Sequence, residues 1–175
     1  MDPTWHLVAV DAALNRGLIT LGNIMELRRS SRERREFLLR FADGRAEAPG
    51  ETIARLMLVQ SDFAVRPQAY IDGAGHVDIE VEGLVIVQVD GYEPHSDRRT
   101  FRRDREKGRA AIKAGRPALS YAASELLGRS RANVVQDVRE ALEMWRQRDE
   151  RRVVPAGPRI LTVQRDERGT RPAGA

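Results

Sequence analysis

Asp78, Gln88 and Asp90 are oxygen-bearing side chains at alternating positions of one run, Val77-Asp78-Ile79-Glu80-Val81-Glu82-Gly83-Leu84-Val85-Ile86-Val87-Gln88-Val89-Asp90. Such alternation signals strands, and Gly83 in the middle marks a hairpin turn. With a three-residue turn, Glu82-Gly83-Leu84, and Gly83 supplying a positive φ, Val81 pairs with Val85, Ile79 with Val87 and Val77 with Val89. These residues are all β-branched and share one face. The other face carries Asp78, Glu80, Ile86, Gln88 and Asp90, with Asp78 directly across from Gln88. A two-residue turn would mix the faces, because a one-residue slip inverts every side chain. Acidic groups converging on one sheet face can hold a divalent cation through oxygen ligands. The same alternation also suits an edge hairpin whose acidic face is simply solvated.

Further positions carry groups with chemical potential. Glu51 lies in the opening turn of a strongly apolar helix, where an acid either complements the helix dipole or serves a site. His95 follows the acidic strand in Gly91-Tyr92-Glu93-Pro94-His95. Asp104 comes three residues after Phe101, on the inward side of a basic helix, and an inward carboxylate needs a partner; His95 is a candidate. Arg98, Arg99, Arg102, Arg103, Arg105 and Arg109 on that helix form either a solvated face or a track for phosphates.

The elements that must position these groups follow from periodicity. Val8, Ala12 and Leu14 make a short helix ended by Gly17. Leu18, Leu21, Ile24, Met25 and Leu27 make a second, and Phe37, Leu38 and Phe41 a third. These short helices have little to bury alone, so they pack on the main domain or on a neighbour. Pro49 and Gly50 mark a boundary before a helix at 51–60, whose apolar groups cover most of its circumference. A strand at 65–71, a turn at 72–75, the hairpin, the basic helix at 98–113, a weak strand at 117–121 and a short helix ending at Gly128 follow. A helix at about 131–148, capped by Ser130, carries Val134, Val135, Val138, Ala141, Leu142 and Trp145 at helical spacing. Beyond Arg148 the pattern dissolves into Arg, Pro and Gly.

The 175-residue length suffices for one domain with a core, and 41% hydrophobic with 32% charged residues fits a globular chain. Net charge is only +4, but nearly all the basic residues are Arg, which suits phosphate partners. The absence of Cys excludes disulfides and thiolate metal sites and fits a reducing compartment. With no apolar stretch of membrane-spanning length and no signal-peptide pattern, the expected location is cytoplasmic, with no membrane partner.

A resemblance joins these features. The string Gly44-Arg45-Ala46-Glu47-Ala48-Pro49-Gly50-Glu51, the hairpin from Asp78 to Gly91, then His95 and Phe101-Arg102-Arg103-Asp104-Arg105 together resemble an uncharacterised endonuclease-like family. That family is related to very-short-patch-repair endonucleases, within the PD-(D/E)xK restriction-endonuclease-like fold, and the likeness extends over residues 44–145. The resemblance implies an α/β fold: a restriction-endonuclease-like mixed sheet of three to four strands flanked by helices, with a helical N-terminal segment at 1–46, the endonuclease-like domain at 47–149 and a flexible basic tail at 150–175.

It also implies roles. Glu51 becomes the helix acid, Asp78 the main ligand of Mg²⁺ (or Mn²⁺), His95 the catalytic histidine and Asp104 its carboxylate partner. Asp90 matches the acid of the family's Glu-x-Asp-Gly strand end. Gln88 stands where that family has Glu; its carbonyl can still ligate a cation but brings no charge. The implied function is a Mg²⁺-dependent DNA endonuclease in repair. The competing expectation is a catalytically weakened nuclease fold acting as an antitoxin-like or regulatory nucleic-acid-binding protein. Long members carry a winged-helix segment followed by a connector similar to residues 7–45, which makes this chain a short member or a fragment and its N-terminal helices a possible contact for a protein partner.

Overall fold

Each N-terminal helix starts on a side chain that occupies an orphan backbone N–H. Asp2 accepts from Thr4 N at 2.8 Å to open α1 (Pro3–Asn15), with Pro3 in the first turn, where its missing N–H costs nothing. Thr20 and Asn23 cap α2 (Leu21–Met25) reciprocally, and Ser31 Oγ accepts from Arg34 N at the start of α3 (Arg32–Phe41). Gly17, at φ +67°, turns the chain out of α1 as expected. The computed structural model describes residues 2–72, 75–90, 115–127 and 131–152. The expected basic helix at 98–113 and the Ser130 cap lie outside the described residues.

The fourth helix, α4 (Pro49–Gln60), is the centre of the packing. It begins at Pro49, two residues earlier than the sequence suggests, because proline is well suited to a first helical position. Its apolar girdle is buried on two sides, as its composition demands. Leu56 joins Leu7, Val10, Ile24 and Leu38 of the N-terminal helices, while Ile53, Ala54 and Leu58 face the sheet. Polar contacts also join the N-terminal helices to α4. Asp11 of α1 is buried and accepts from Thr52 Oγ1 at 2.9 Å, Arg55 Nη2 at 2.8 Å and Asp43 N at 2.8 Å.

The sheet has the order β1-β2-β3-β4, formed by Val65–Ile71, Gly75–Val81, Val85–Asp90 and Ala118–Ala122. β1, β2 and β3 are antiparallel neighbours, and β4 lies parallel to β3, so the α/β fold has a four-stranded mixed sheet. Helices α5 (Ala123–Leu127) and α6 (Arg131–Arg152) follow. Val134, Val138, Ala141 and Leu142 of α6 are buried in the main core, and Tyr121 of β4 donates to Asp137 Oδ2 at 3.0 Å. The helix runs on to Arg152, past the point where its hydrophobic pattern fades. No helix among the described residues is long and apolar enough to cross a membrane.

The hairpin has the expected three-residue turn, with Val81 opposite Val85 and Ile79 opposite Val87. Both Glu82 (φ +55°) and Gly83 (φ +67°) take positive φ, not Gly83 alone. Glu82 is held there from both ends: its N–H donates to Ala64 O, and its carboxylate accepts from Ala64 N, both at 2.8 Å.

The expectation that six β-branched residues share one face needs correction. Ile79, Val81, Val85, Val87 and Val89 enter the main core, but Val77 packs with Ala69, Ile71 and Ile86 in a second cluster. The cause lies in β1. Pro67 pairs with Ile79 and Ala69 with Val77, while Gln68 between them adopts φ +49° and interrupts the pairing opposite Asp78. A residue turned into the left-handed region breaks the alternation that the pattern assumed. The acidic face therefore divides. Glu80 is buried between Arg66 and Arg116, whereas Asp78 belongs to a groove beside α4.

Removing Asp11 would leave the Arg55 guanidinium buried without its counter-ion. Asp11→Ala is expected to cost about 3–5 kcal/mol, the range for breaking a buried pair. Equilibrium urea unfolding of wild type and variant measures this, and a loss under about 1 kcal/mol would assign the pair a surface-like weight.

Candidate functional site

Glu51 reaches its place because α4 presses its N-terminus onto β3. A Cβ on Gly50 would lie 2.6 Å from Val89 Cγ1, so a glycine is what allows this approach. The adjoining Glu51 is only 7% exposed. Its Oε2 accepts from Glu47 N and from Gln68 Nε2, each at 3.0 Å. The positive φ of Gln68 costs roughly 1–2 kcal/mol. A hydrogen bond to a charged carboxylate returns about that much.

Asp78 stands on the other strand of the same interruption. Its Oδ2 accepts from Val89 N at 2.8 Å, so a side chain takes a strand N–H where the pairing of β2 with β3 gives out. Burial, and after it the charge of Asp78, push the Glu51 carboxyl above its usual pKa, against the pull of its Glu47 and Gln68 hydrogen bonds. Asp78 lines a groove of about 530 Å³ with Asn15, Arg45, Glu47, Gln68 and His76, and Glu51 is buried against two of these residues, Glu47 and Gln68, within electrostatic range of Asp78. Asn15 Nδ2 donates to Gly44 O at 2.9 Å and fixes the turn that carries Arg45. Arg45 is paired with Asp43 at 2.6 Å, and His76 stands edge-on to Tyr70 with ring centres 5.4 Å apart.

Of the residues singled out in the sequence, Glu51 and Asp78 come together. Gln88 is buried on β3 beside Ser120 of β4, and Asp90 is exposed at the end of β3 opposite Ala122; neither lines the groove. His95, Asp104 and Arg98, Arg99, Arg102, Arg103, Arg105 and Arg109 lie outside the described residues. Among the described residues, no group of three or more His, Asp or Glu side chains is arranged to hold a metal ion. Glu51 and Asp78 are a carboxylate pair close enough to interact electrostatically.

The groove also contains residues that sequence reasoning passed over. Gln68 follows Pro67, and a proline inside a strand warns of a break. His76 is two residues before Asp78, so simple alternation places them on one side. Arg45 and Glu47 belong to the string that carries the family resemblance, yet only the fold shows that they border the acids. Scans of family models, curated proteins and solved structures find no match to this chain.

The raised pKa of Glu51 has a definite sign in stability. Its native carboxyl holds a proton more tightly than the unfolded chain does. Native stability therefore falls as pH rises from the ordinary value of 4.5 through the raised one. Glu51→Gln removes this dependence and keeps a carbonyl to accept from Glu47 and Gln68. The variant should have the higher urea midpoint at about pH 7.5, and the gap should close or reverse by about pH 4. A gap that widens on acidification would contradict the raised pKa.

Proposed function

We propose that this chain is a Mg²⁺- or Mn²⁺-dependent DNA endonuclease, hydrolysing phosphodiester bonds in the manner of the very-short-patch-repair-like family that its sequence resembles. The observation that carries this reading is the proximity of the two acids: Asp78 lines the groove, and Glu51, buried and hydrogen-bonded to the lining residues Glu47 and Gln68, is near enough for the charge of Asp78 to raise its pKa. Bound between them, the cation would lower the pKa of a water and offset charge developing on the phosphate. Asp78 is held in place by Val89 N, and Glu51 is held by Glu47 N and Gln68 Nε2, so both carboxylates are oriented before substrate arrives. The resemblance adds Asp90 and Gln88 to the ligand set, but neither lines this groove, so the reading rests on Asp78 and Glu51. In the same reading His95 moves the proton, Asp104 orients it, and the arginines from Arg98 to Arg109 grip the DNA backbone. Repair, in the cytoplasm, is the process that this chemistry fits.

Specific observations favour a second reading, a weakened nuclease fold that binds nucleic acid as an antitoxin-like or regulatory protein. Gln88 is uncharged where the family has an acid, and one Asp78 oxygen is already engaged by Val89 N. The exposed Leu21 and Met25 of α2, with Leu18 in the turn before it, would then face a protein partner.

Nicking of supercoiled and of mismatched DNA with Mg²⁺ or Mn²⁺ separates the readings. Asp78→Asn keeps an acceptor for Val89 N, and Glu51→Gln keeps the α4 contacts, so both test charge and not folding. Each should lower the rate by at least the roughly 10–100-fold that altering a metal ligand's own hydrogen-bond partner typically costs. Wild-type protein that binds DNA without metal-dependent nicking would replace the enzyme with the binding protein.

A further inference from the structure

A second cleft, of about 750 Å³, opens between α1 and the turn joining α2 to α3. His6 of α1 lines it on one side; Arg28 and Arg29 of the turn and Arg34 of α3 bring three guanidiniums to the other. Glu26 is the one acid among the lining residues, so the cleft is cationic. It lies in a stretch, residues 26–41, that holds six Arg and three Glu.

The turn is built to hold its arginines outward. Arg35 Nη1 donates to Leu27 O at 3.3 Å and also to Ser30 O, and Ser30 N donates to Leu27 O at 3.0 Å. Arg35 thus pins the turn to α3 from behind, leaving Arg28 and Arg29 exposed on the cleft side. Among the described residues no carboxylate pairs with Arg28 or Arg29, whereas Arg32, Arg45 and Arg55 each have one. Ser30 also lines the cleft, and its buried hydroxyl has no hydrogen-bond partner among the described residues. Guanidiniums with an unused hydroxyl donor match the oxygens of a phosphate.

We infer that this cleft holds the phosphodiester backbone of nucleic acid, as a contact separate from the Glu51–Asp78 groove. The inference rests on the nucleic-acid reading above and extends it to the N-terminal helices. The geometry of α1 favours an extended polyanion over a small phosphate ester. His6 borders this cleft and Asn15 borders the groove, on one continuous helix. Nine residues at 1.5 Å each separate them by about 13.5 Å. That length corresponds to roughly four steps of a DNA strand at 3.4 Å each. One backbone can therefore pass from Arg28 and Arg29 toward the carboxylates.

The test is fluorescence anisotropy of a labelled duplex across a salt series, in EDTA so that turnover plays no part. The Arg28→Ala/Arg29→Ala variant is compared with Arg32→Ala/Arg40→Ala, which removes the same charge from side chains that do not line the cleft. The cleft variant should raise Kd about 10-fold and flatten the slope of log K against log salt by roughly 1.8, near 0.9 per lost phosphate contact, while the control changes it by less than about 0.5. Equal effects in the two variants, or wild-type binding by the cleft variant, would overturn the inference. A chain that binds through Arg28 and Arg29 but never nicks DNA keeps the cleft and loses the endonuclease. One that nicks DNA with unchanged affinity in the cleft variant does the reverse.

Discussion

The site depends on a single break in strand pairing. At Gln68 the backbone takes a positive φ, and the residue across from it, Asp78, gives its carboxylate to Val89 N instead of to solvent. Without that break, regular alternation would leave Asp78 on the same face as Glu80, between Arg66 and Arg116, where its charge would be neutralised. With it, Gln68 reaches Glu51 and Asp78 falls within electrostatic range of the same acid. One strained residue thus sorts two carboxylates of one strand into different environments. Glu80 becomes a structural ion pair, and Asp78 faces a groove.

The break is affordable because the surrounding packing overdetermines it. Gly50 lets α4 lie close to Val89, and Val89 is the residue whose N–H holds Asp78. On its other side α4 is tied to α1 through Asp11, Thr52 and Arg55 and through the shared Leu7, Val10, Ile24, Leu38 and Leu56 cluster. The N-terminal helices therefore do more than cover apolar surface. They fix the helix that carries Glu51, and Asn15 at the end of α1 forms part of the groove wall.

Local signals in the sequence are legible where the physics is local. Strict alternation around Gly83 implied a three-residue turn, and the Val81–Val85 and Ile79–Val87 pairs follow from it. The apolar girdle of α4 implies burial on two sides, and Glu51 in its first turn stands out as an acid that either complements the helix dipole or serves a site. What could not be read was the side to which Asp78 and Val77 turn, because that depends on the φ of Gln68 in a different strand. Pro67 hinted at an interruption but could not give its direction. Likewise nothing in the spacing of Arg45, Asn15 and His76 indicates a common groove; chain segments far apart in sequence meet there only through the docking of α1 on α4. The split of the acidic face had the same origin, since a strand pattern cannot foresee which of two carboxylates will meet arginines from β1 and from the segment before β4.

The central claim is that Glu51 and Asp78 share one cation. Paramagnetic broadening by substoichiometric Mn²⁺, followed in the ¹H–¹⁵N spectrum, tests it most directly, because the Glu47 N–H and the Gln68 side-chain amide both point at Glu51 Oε2. These resonances should broaden first, and should remain sharp at the same Mn²⁺ concentration in Asp78→Asn. Broadening that spares them, or that is equal in wild type and Asp78→Asn, would contradict a cation site in this groove.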